Sequence, residues 1–136
     1  MGIEMNDKFD MLKAHADACW DALVNGNKPW IRVGSALCGE AVGSKRVLEE
    51  LNSQIKAKGL DAVISQVGCL GMCFAEPIVD ITAPGMPRII YGPVGPEMIS
   101  QIVDEHLVKG KPIDDLVLGT LGDEELSGLP NLMDHP

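Results

Sequence analysis

The apolar residues of this chain repeat with two different periods, and the change of period separates helices from strands. Between residues 4 and 24, apolar side chains recur at helical spacing with Asp, Lys and His between them. Helical spacing returns over residues 41–58 and again over residues 96–108. The pattern therefore predicts three amphipathic helices. The apolar face of the first consists of Phe9, Leu12, Ala16, Cys19, Trp20 and Leu23.

Short apolar runs between these helices are typical of strands. They cover residues 30–33, 61–67, 78–82 and 88–91, and the last two are joined by a Pro- and Gly-containing turn that predicts a hairpin. The order is helix, then strand–helix–strand, then strand–strand–helix. A right-handed crossover in the first unit and a hairpin in the second predict an α/β fold: a thioredoxin-like four-stranded mixed sheet with flanking helices, an N-terminal helix and an extended C-terminal tail.

Three regions follow from this order. We expect residues 1–28 to hold the N-terminal amphipathic helix, residues 29–110 the thioredoxin-like domain, and residues 111–136 an acidic linker or interaction tail. The tail combines one Lys with six Asp and Glu, and its Gly and Pro residues are closely spaced. Because it also contains several leucines, we expect it to need a partner surface.

Length, composition and charge predict a single-domain soluble protein and disfavour some kinds of partner. A length of 136 residues suits one domain, and 46% hydrophobic with 23% charged residues is ordinary for a soluble globular protein. The net charge of −9 disfavours nucleic acid and acidic membranes as partners. The sequence has no transmembrane run and no secretory signal pattern, so we expect a cytoplasmic protein.

Three of the four cysteines lie in loops that the predicted topology brings together. Cys69 and Cys73 follow a strand in a glycine-framed loop, and Cys38 lies between the first strand and the second helix. Parallel strands place these two loops at the same end of a sheet. In a reducing cytoplasm such thiols indicate metal or redox chemistry rather than structural disulfides. The alternative is that they are small buried side chains.

The remaining cysteine and the histidines give weaker signals. Cys19 lies in register with the apolar face of the first helix, so we expect it to pack in the core, with a ligand role as the alternative. His15, His106 and His135 lack the spacing of a metal pair, and we expect them to face solvent.

The chain resembles a known family. Residues 38–43, 68–73 with Ala75-Glu76-Pro77, 87–92 and 103–107 resemble segments of the thioredoxin-like 2Fe-2S ferredoxins. The likeness is closer still to the ferredoxin-like N-terminal extension of the flavin-bearing, NADH-oxidising subunit of complex-I-like dehydrogenases, hydrogenases and electron-bifurcating complexes. It covers most of the chain.

The resemblance implies a ligand set. The family pattern is two cysteines separated by four residues, followed by two separated by three, and Cys38, Cys69 and Cys73 match the last three positions. The first position falls on Val33, which is not a ligand. A bound 2Fe-2S cluster would therefore take its fourth ligand from Cys19, from Ser35, or from no protein residue.

The resemblance also implies an electron-transfer subunit within an NADH-dependent oxidoreductase complex, with a flavin-bearing subunit and other iron–sulfur subunits as partners. No Gly-rich nucleotide fingerprint is present, so the sequence predicts no complete active site for NADH oxidation in this chain alone. Two alternatives stay open. One is a cluster-free docking module of the same fold, and the other is a thiol–disulfide module that uses Cys69 and Cys73.

Overall fold

A five-stranded mixed sheet forms the centre of the computed structural model, which describes residues 5–122 and 126–132. The strand order is β2-β1-β3-β4-β5. The strands are β1 (Trp30–Gly34), β2 (Val63–Val67), β3 (Val79–Thr82), β4 (Arg88–Tyr91) and β5 (Val117–Leu121). The parallel β1–β2 pair and the antiparallel β3–β4 hairpin agree with the order of apolar runs, and the predicted α/β architecture of a mixed sheet with flanking helices is confirmed.

Helices cover this sheet and precede it. They are α1 (Met5–Val24), α2 (Leu37–Ala41), α3 (Ser44–Ala57) and α4 (Ile99–Ile102). The helix predicted over residues 41–58 is α3, which begins after Gly43, a residue with a φ of +100° in the left-handed region. The short helix α2 before it was not predicted. The helix predicted over 96–108 begins with a 3₁₀ turn, Pro96–Met98, and continues beyond α4 as a π-helix, Val103–Val108. No helix among the described residues is long and apolar enough to cross a membrane.

The register of the sheet determines where the cysteine loops meet. β1 and β2 run parallel with Gly34 opposite Val67, so the chain leaves both strands at the same edge. β3 runs antiparallel to β1 and enters the sheet at that edge, with Val79 opposite Val33. The loops before α2 and before β3 are therefore neighbours.

The main core lies between one face of the sheet and helices α3 and α4. Alternate strand residues point to this face, as the period of two requires. The apolar stripe of α3 and the buried side of α4 close it. Its fully buried members include Ile31, Val33, Val47, Leu51, Ile81, Ile89, Ile99 and Ile102.

The fifth strand was not predicted from the sequence. β5 comes from the segment expected to be an interaction tail, and it pairs antiparallel with β4. Leu118, Leu121 and Leu132 are partly buried against the cluster of Ala75, Ile78 and Ile90, so these three leucines cover part of the domain's own sheet. The physical reason is that β4 would otherwise be an edge strand with unpaired backbone groups. The acidic residues 123–125 and 134 lie outside the described residues.

A buried ionic network occupies the second face of the sheet. Asp80 is 2% exposed, and its carboxylate accepts hydrogen bonds from Arg32 at 3.0 and 3.1 Å and from Arg88 at 2.7 and 2.9 Å. Arg32 also donates to Thr82, and its guanidinium stacks 4.0 Å from the ring centroid of Trp30. One carboxylate thus pairs with a buried cation, Arg32, and with a half-buried one, Arg88.

Helix α1 does not pack into the core, and this corrects the sequence-based expectation. None of its residues is buried, and the side chains of its apolar positions face solvent: Phe9 is 64% exposed and Leu12 is 69% exposed. Its aromatic contact with the sheet is Trp20, edge-on to Trp30 at 5.8 Å between ring centroids. Helical periodicity shows that a helix has an apolar face, but it does not say whether the same chain supplies the surface that covers it.

His106 is buried rather than solvent-facing, which is a second correction. It is 1% exposed, and its Nδ1 shares a hydrogen bond of 2.8 Å with the hydroxyl of Tyr91. Its Nε2 has no partner among the described residues. Burial lowers the pKa of His106 to about 4 and raises the pKa of Tyr91 far above its ordinary value, so both side chains are neutral at pH 7.

The free energy of unfolding is expected to fall as the pH drops from about 6.5 to about 4, because the unfolded chain protonates His106 first. Above pH 6.5 the neutral, buried His106 makes its full contribution to the free energy of unfolding. By pH 4 about 3 kcal/mol of that free energy is lost. Urea unfolding of the wild type and of His106→Gln at pH 7 and pH 5 measures it. We expect a smaller pH-dependent loss in the variant. Equal losses in the two proteins would show that His106 does not cause the effect.

Candidate functional site

Cys38, Cys69 and Cys73 meet at one edge of the sheet, as the topology predicted. The Sγ atom of Cys73 lies 3.2 Å from that of Cys38 and 3.6 Å from that of Cys69. All three are free thiols. The interpretation of these residues as separate buried side chains is wrong, because Cys69 and Cys73 are exposed and Cys38 is half-buried.

Backbone hydrogen bonds hold the two cysteine loops against each other. The N–H of Ser35 donates to the carbonyl of Val67 at 2.9 Å, and the N–H of Gly34 donates to the carbonyl of Ile78 at 3.0 Å. Gly71 has a φ of +87°, which only glycine adopts readily, and this turn folds Cys69 back towards Cys73. The position of the thiols thus depends on the central strand β1 and on its two neighbours.

The electrostatic environment of Cys69 is mixed. The N–H of Gly71 donates to its Sγ at 3.2 Å, which lowers the pKa of the thiol. The hydrogen bond with Cys73, partial desolvation and the negative charges of Cys73 and Glu76 raise it more, so the net pKa lies above the ordinary value. Reactive thiols of disulfide oxidoreductases have a lowered pKa. This environment disfavours the thiol–disulfide alternative.

Glu76 is a component of this edge that the sequence signalled only weakly. It belongs to the Ala75-Glu76-Pro77 segment of the family resemblance, but no role was assigned to its side chain. The residue is 5% exposed, and its Oε2 accepts a hydrogen bond from the N–H of Ile78 at 2.8 Å. Its Oε1 is buried and has no hydrogen-bond partner among the described residues.

The other candidates for the fourth ligand position lie elsewhere or are otherwise engaged. Cys19 is exposed, so its expected core position is wrong, and its Sγ lies 3.7 Å from the Nε2 of His15. Its helical neighbour Trp20 contacts Trp30, which begins β1, whereas the cysteine loops lie at the end of that strand, about 13 Å away at ordinary strand rise.

Val33 and Ser35 flank the end of β1. Val33 is fully buried in the main core, so the family's first ligand position points away from the cysteine loops. The Oγ of Ser35 donates to the carbonyl of Val33 at 3.3 Å. His135 lies outside the described residues.

The chemistry of these donors fits an iron–sulfur cluster. Within the described ranges, no three His, Cys, Asp or Glu side chains form a ready site for one ion. A 2Fe-2S cluster instead takes thiolates from separate loops around two irons. Three accessible thiols on two adjoining loops, with a backbone N–H directed at one sulfur, suit such a group.

The sequence is similar to those of a hydrogenase subunit and a ferredoxin. It is 34% identical over 112 residues to the NADP-reducing hydrogenase subunit HndB of Solidesulfovibrio fructosivorans, a match that covers 80% of this chain and 88% of that protein. It is 32% identical over 79 residues to a 2Fe-2S ferredoxin of Aquifex aeolicus, covering 56% of this chain and 68% of that one. No protein-family model matches the chain.

The fold agrees with these sequence matches. The crystal structure of the thioredoxin-like [2Fe-2S] ferredoxin from Aquifex aeolicus superposes with a TM-score of 0.59 at 26% identity. The superposition covers 68% of this chain and 98% of the ferredoxin. The match therefore extends over nearly the whole length of the ferredoxin.

Proposed function

We propose that this chain, which belongs to the family of thioredoxin-like 2Fe-2S ferredoxins, is an electron-transfer subunit that carries a 2Fe-2S cluster within an oxidoreductase complex. The observation that carries the proposal is the meeting of Cys38, Cys69 and Cys73 at one edge of the sheet. These thiols come from two loops far apart in sequence. Packing does not explain their proximity, because two of them are exposed.

When bound, the cluster supplies reversible one-electron chemistry, and the protein residues control its environment. Cys38, Cys69 and Cys73 would hold it as thiolates, which requires each thiol to lose its proton. The N–H of Gly71 donates to the sulfur of Cys69 and disperses part of its negative charge. The short hydrogen-bonded connections to β1 keep both loops in place when the charge changes.

Similarity to a hydrogenase subunit supports function in a complex with other subunits. We propose a flavin-bearing NADH dehydrogenase-type subunit and further iron–sulfur subunits as the partners. A groove lined by Leu70, Met72 and Phe74 lies beside the cysteine loop, and Phe74 is 84% exposed. An apolar surface next to the cluster would allow a partner to approach it closely. The need for reduced thiols favours a cytoplasmic location.

Anaerobic reconstitution tests the proposal. Protein purified without oxygen and incubated with iron and sulfide should retain about two iron and two sulfide per chain after gel filtration, with the visible charge-transfer bands of a 2Fe-2S cluster. The matched control is the same protein with its thiols alkylated before reconstitution. Retention of equal iron by the alkylated protein would show non-specific binding.

A cluster-free docking module is the second candidate function, and helix α1 favours it. Phe9, Leu12 and Trp20 present an apolar face that the described part of the chain leaves exposed. Docking and cluster binding are compatible, because α1 contacts the sheet at the end of β1 that is remote from the cysteine loops. Wild-type protein that retains no iron and sulfide after anaerobic reconstitution would leave docking as the remaining function.

A further inference from the structure

The fourth ligand position of the site has no thiol to fill it. Val33 points into the core, and Cys19 lies on a helix whose contact with the sheet is at the opposite end of β1. The hydroxyl of Ser35 is a weak iron ligand unless it is deprotonated. A buried acidic side chain, Glu76, lies at the same edge of the sheet.

The carboxylate of Glu76 occupies the space next to Gly34, the last residue of β1. A Cβ atom built on Gly34 would lie 2.7 Å from Oε2 and 2.8 Å from Oε1 of Glu76. A Cβ on Gly39, the residue after Cys38, would lie 2.3 Å from the carbonyl oxygen of Gly34 and 3.3 Å from Oε2 of Glu76, so this part of the α2 backbone lies close to both. The missing side chain of Gly34 therefore leaves room for this carboxylate, at a position close to the residue that follows Cys38.

The hydrogen bonding of Glu76 is incomplete. One oxygen, Oε2, accepts the N–H of Ile78, whereas Oε1 is buried without a partner among the described residues. A buried carboxylate oxygen without a hydrogen bond or a cation is costly, and such groups are rare in folded proteins. Arg32 and Arg88 do not compensate this carboxylate, because both pair with Asp80. A bound metal would supply the missing partner.

We propose that Glu76, through Oε1, supplies the fourth protein ligand of the 2Fe-2S cluster, with Cys38, Cys69 and Cys73 as the other three. This inference rests on the proposed function. A carboxylate oxygen is an established ligand of iron in proteins. It also carries one negative charge, as a thiolate does, so the total charge of the ligand set equals that of four cysteines. The cluster gains a complete ligand set without a fourth thiol.

The test compares Glu76→Gln with Glu40→Gln. Glutamine keeps the shape of Glu76 and the acceptor for the N–H of Ile78, but it removes the anionic oxygen. Glu40 is an exposed acidic residue two positions after Cys38, so its variant controls for loss of negative charge near the site. Each protein is reconstituted without oxygen, and iron retention and the paramagnetic resonance spectrum of the reduced protein are measured. Thermal unfolding of the metal-free proteins verifies the fold.

We expect Glu76→Gln to reduce the retained iron by about tenfold or more, while Glu40→Gln matches the wild type. A second pair of variants tests whether a ligand placed in the space of the carboxylate restores iron binding. The pair is Glu76→Ala alone and Glu76→Ala combined with Gly34→Cys. The double variant places a thiol in the space that the carboxylate leaves. We expect it to recover iron that Glu76→Ala loses, with a spectrum distinct from that of the wild type.

The outcomes separate this inference from the proposed function. If the wild type retains no cluster, both fail. If the wild type retains a cluster and Glu76→Gln retains the same amount with an unchanged spectrum, the carboxylate is not a ligand and the three-cysteine site stands. Failure of the Gly34→Cys double variant to recover more iron than Glu76→Ala would also contradict the assignment.

Discussion

Replacement of Cys38, Cys69 or Cys73 by Ala is expected to abolish cluster binding, with iron retention reduced by well over tenfold. Each variant would leave two thiolates for two irons. Alanine is preferable to serine here, since a deprotonated hydroxyl can also bind iron. Iron and sulfide assays after anaerobic reconstitution give the result.

Cys19→Ala is the matched control for these variants. It removes an exposed thiol from α1, which contacts the sheet at the end remote from the cysteine loops. Its iron content and spectrum should equal those of the wild type. If Cys19→Ala lost the cluster as completely as Cys73→Ala, helix α1 would have to supply a ligand, and its described position would not be the one that binds the cluster.

Replacement of Asp80 by Asn is expected to lower the free energy of unfolding by about 3–5 kcal/mol. The substitution leaves Arg32, whose side chain is 8% exposed, and Arg88 without the carboxylate that compensates their charge. The loss arises mainly from the unpaired charge of the buried Arg32, because solvent reaches the half-buried Arg88 and compensates part of its charge. Urea unfolding at pH 7 measures it.

Asp61→Asn provides the comparison for Asp80→Asn. Asp61 pairs with Lys28 at 2.9 Å, but the two side chains are 76% and 56% exposed. Solvent screens this pair, so we expect a loss of about 1 kcal/mol or less. Equal losses in the two variants would contradict the burial argument for Asp80. Retention of iron by partly destabilised Asp80→Asn at low temperature would show that its defect concerns the fold and not the site.

The elements that the sequence predicted correctly are those identified by their own apolar runs and turn residues. The parallel β1–β2 pair, the β3–β4 hairpin and the meeting of the cysteine loops follow from apolar runs and turn residues. β5 did not, because its breaker-rich surroundings resemble a linker and its stability depends on pairing with β4. A segment joins a sheet when it meets an edge strand with unpaired backbone groups. The local sequence of the segment does not show that such an edge is available.

Burial was the harder property to predict. The periodicity of α1 correctly indicated a helix, but it also suggested a buried face, whereas Phe9 and Leu12 are exposed. His106 was expected in solvent and is buried against Tyr91, and Glu76 is buried although it is acidic. In each case the environment is created by elements distant in sequence. Among the site residues, the cysteines were identifiable by chemistry and spacing, whereas Glu76 required the structure.

The most direct test of the account is paramagnetic resonance of wild-type protein purified and reconstituted without oxygen, recorded before and after reduction with dithionite. The oxidised protein should give no signal, because the two ferric irons of a 2Fe-2S cluster couple to a diamagnetic state. Reduction should produce a signal that integrates to about one unpaired electron per chain. Protein that contains neither iron nor sulfide after this treatment, and shows no signal on reduction, would contradict the assignment of an electron-transfer function.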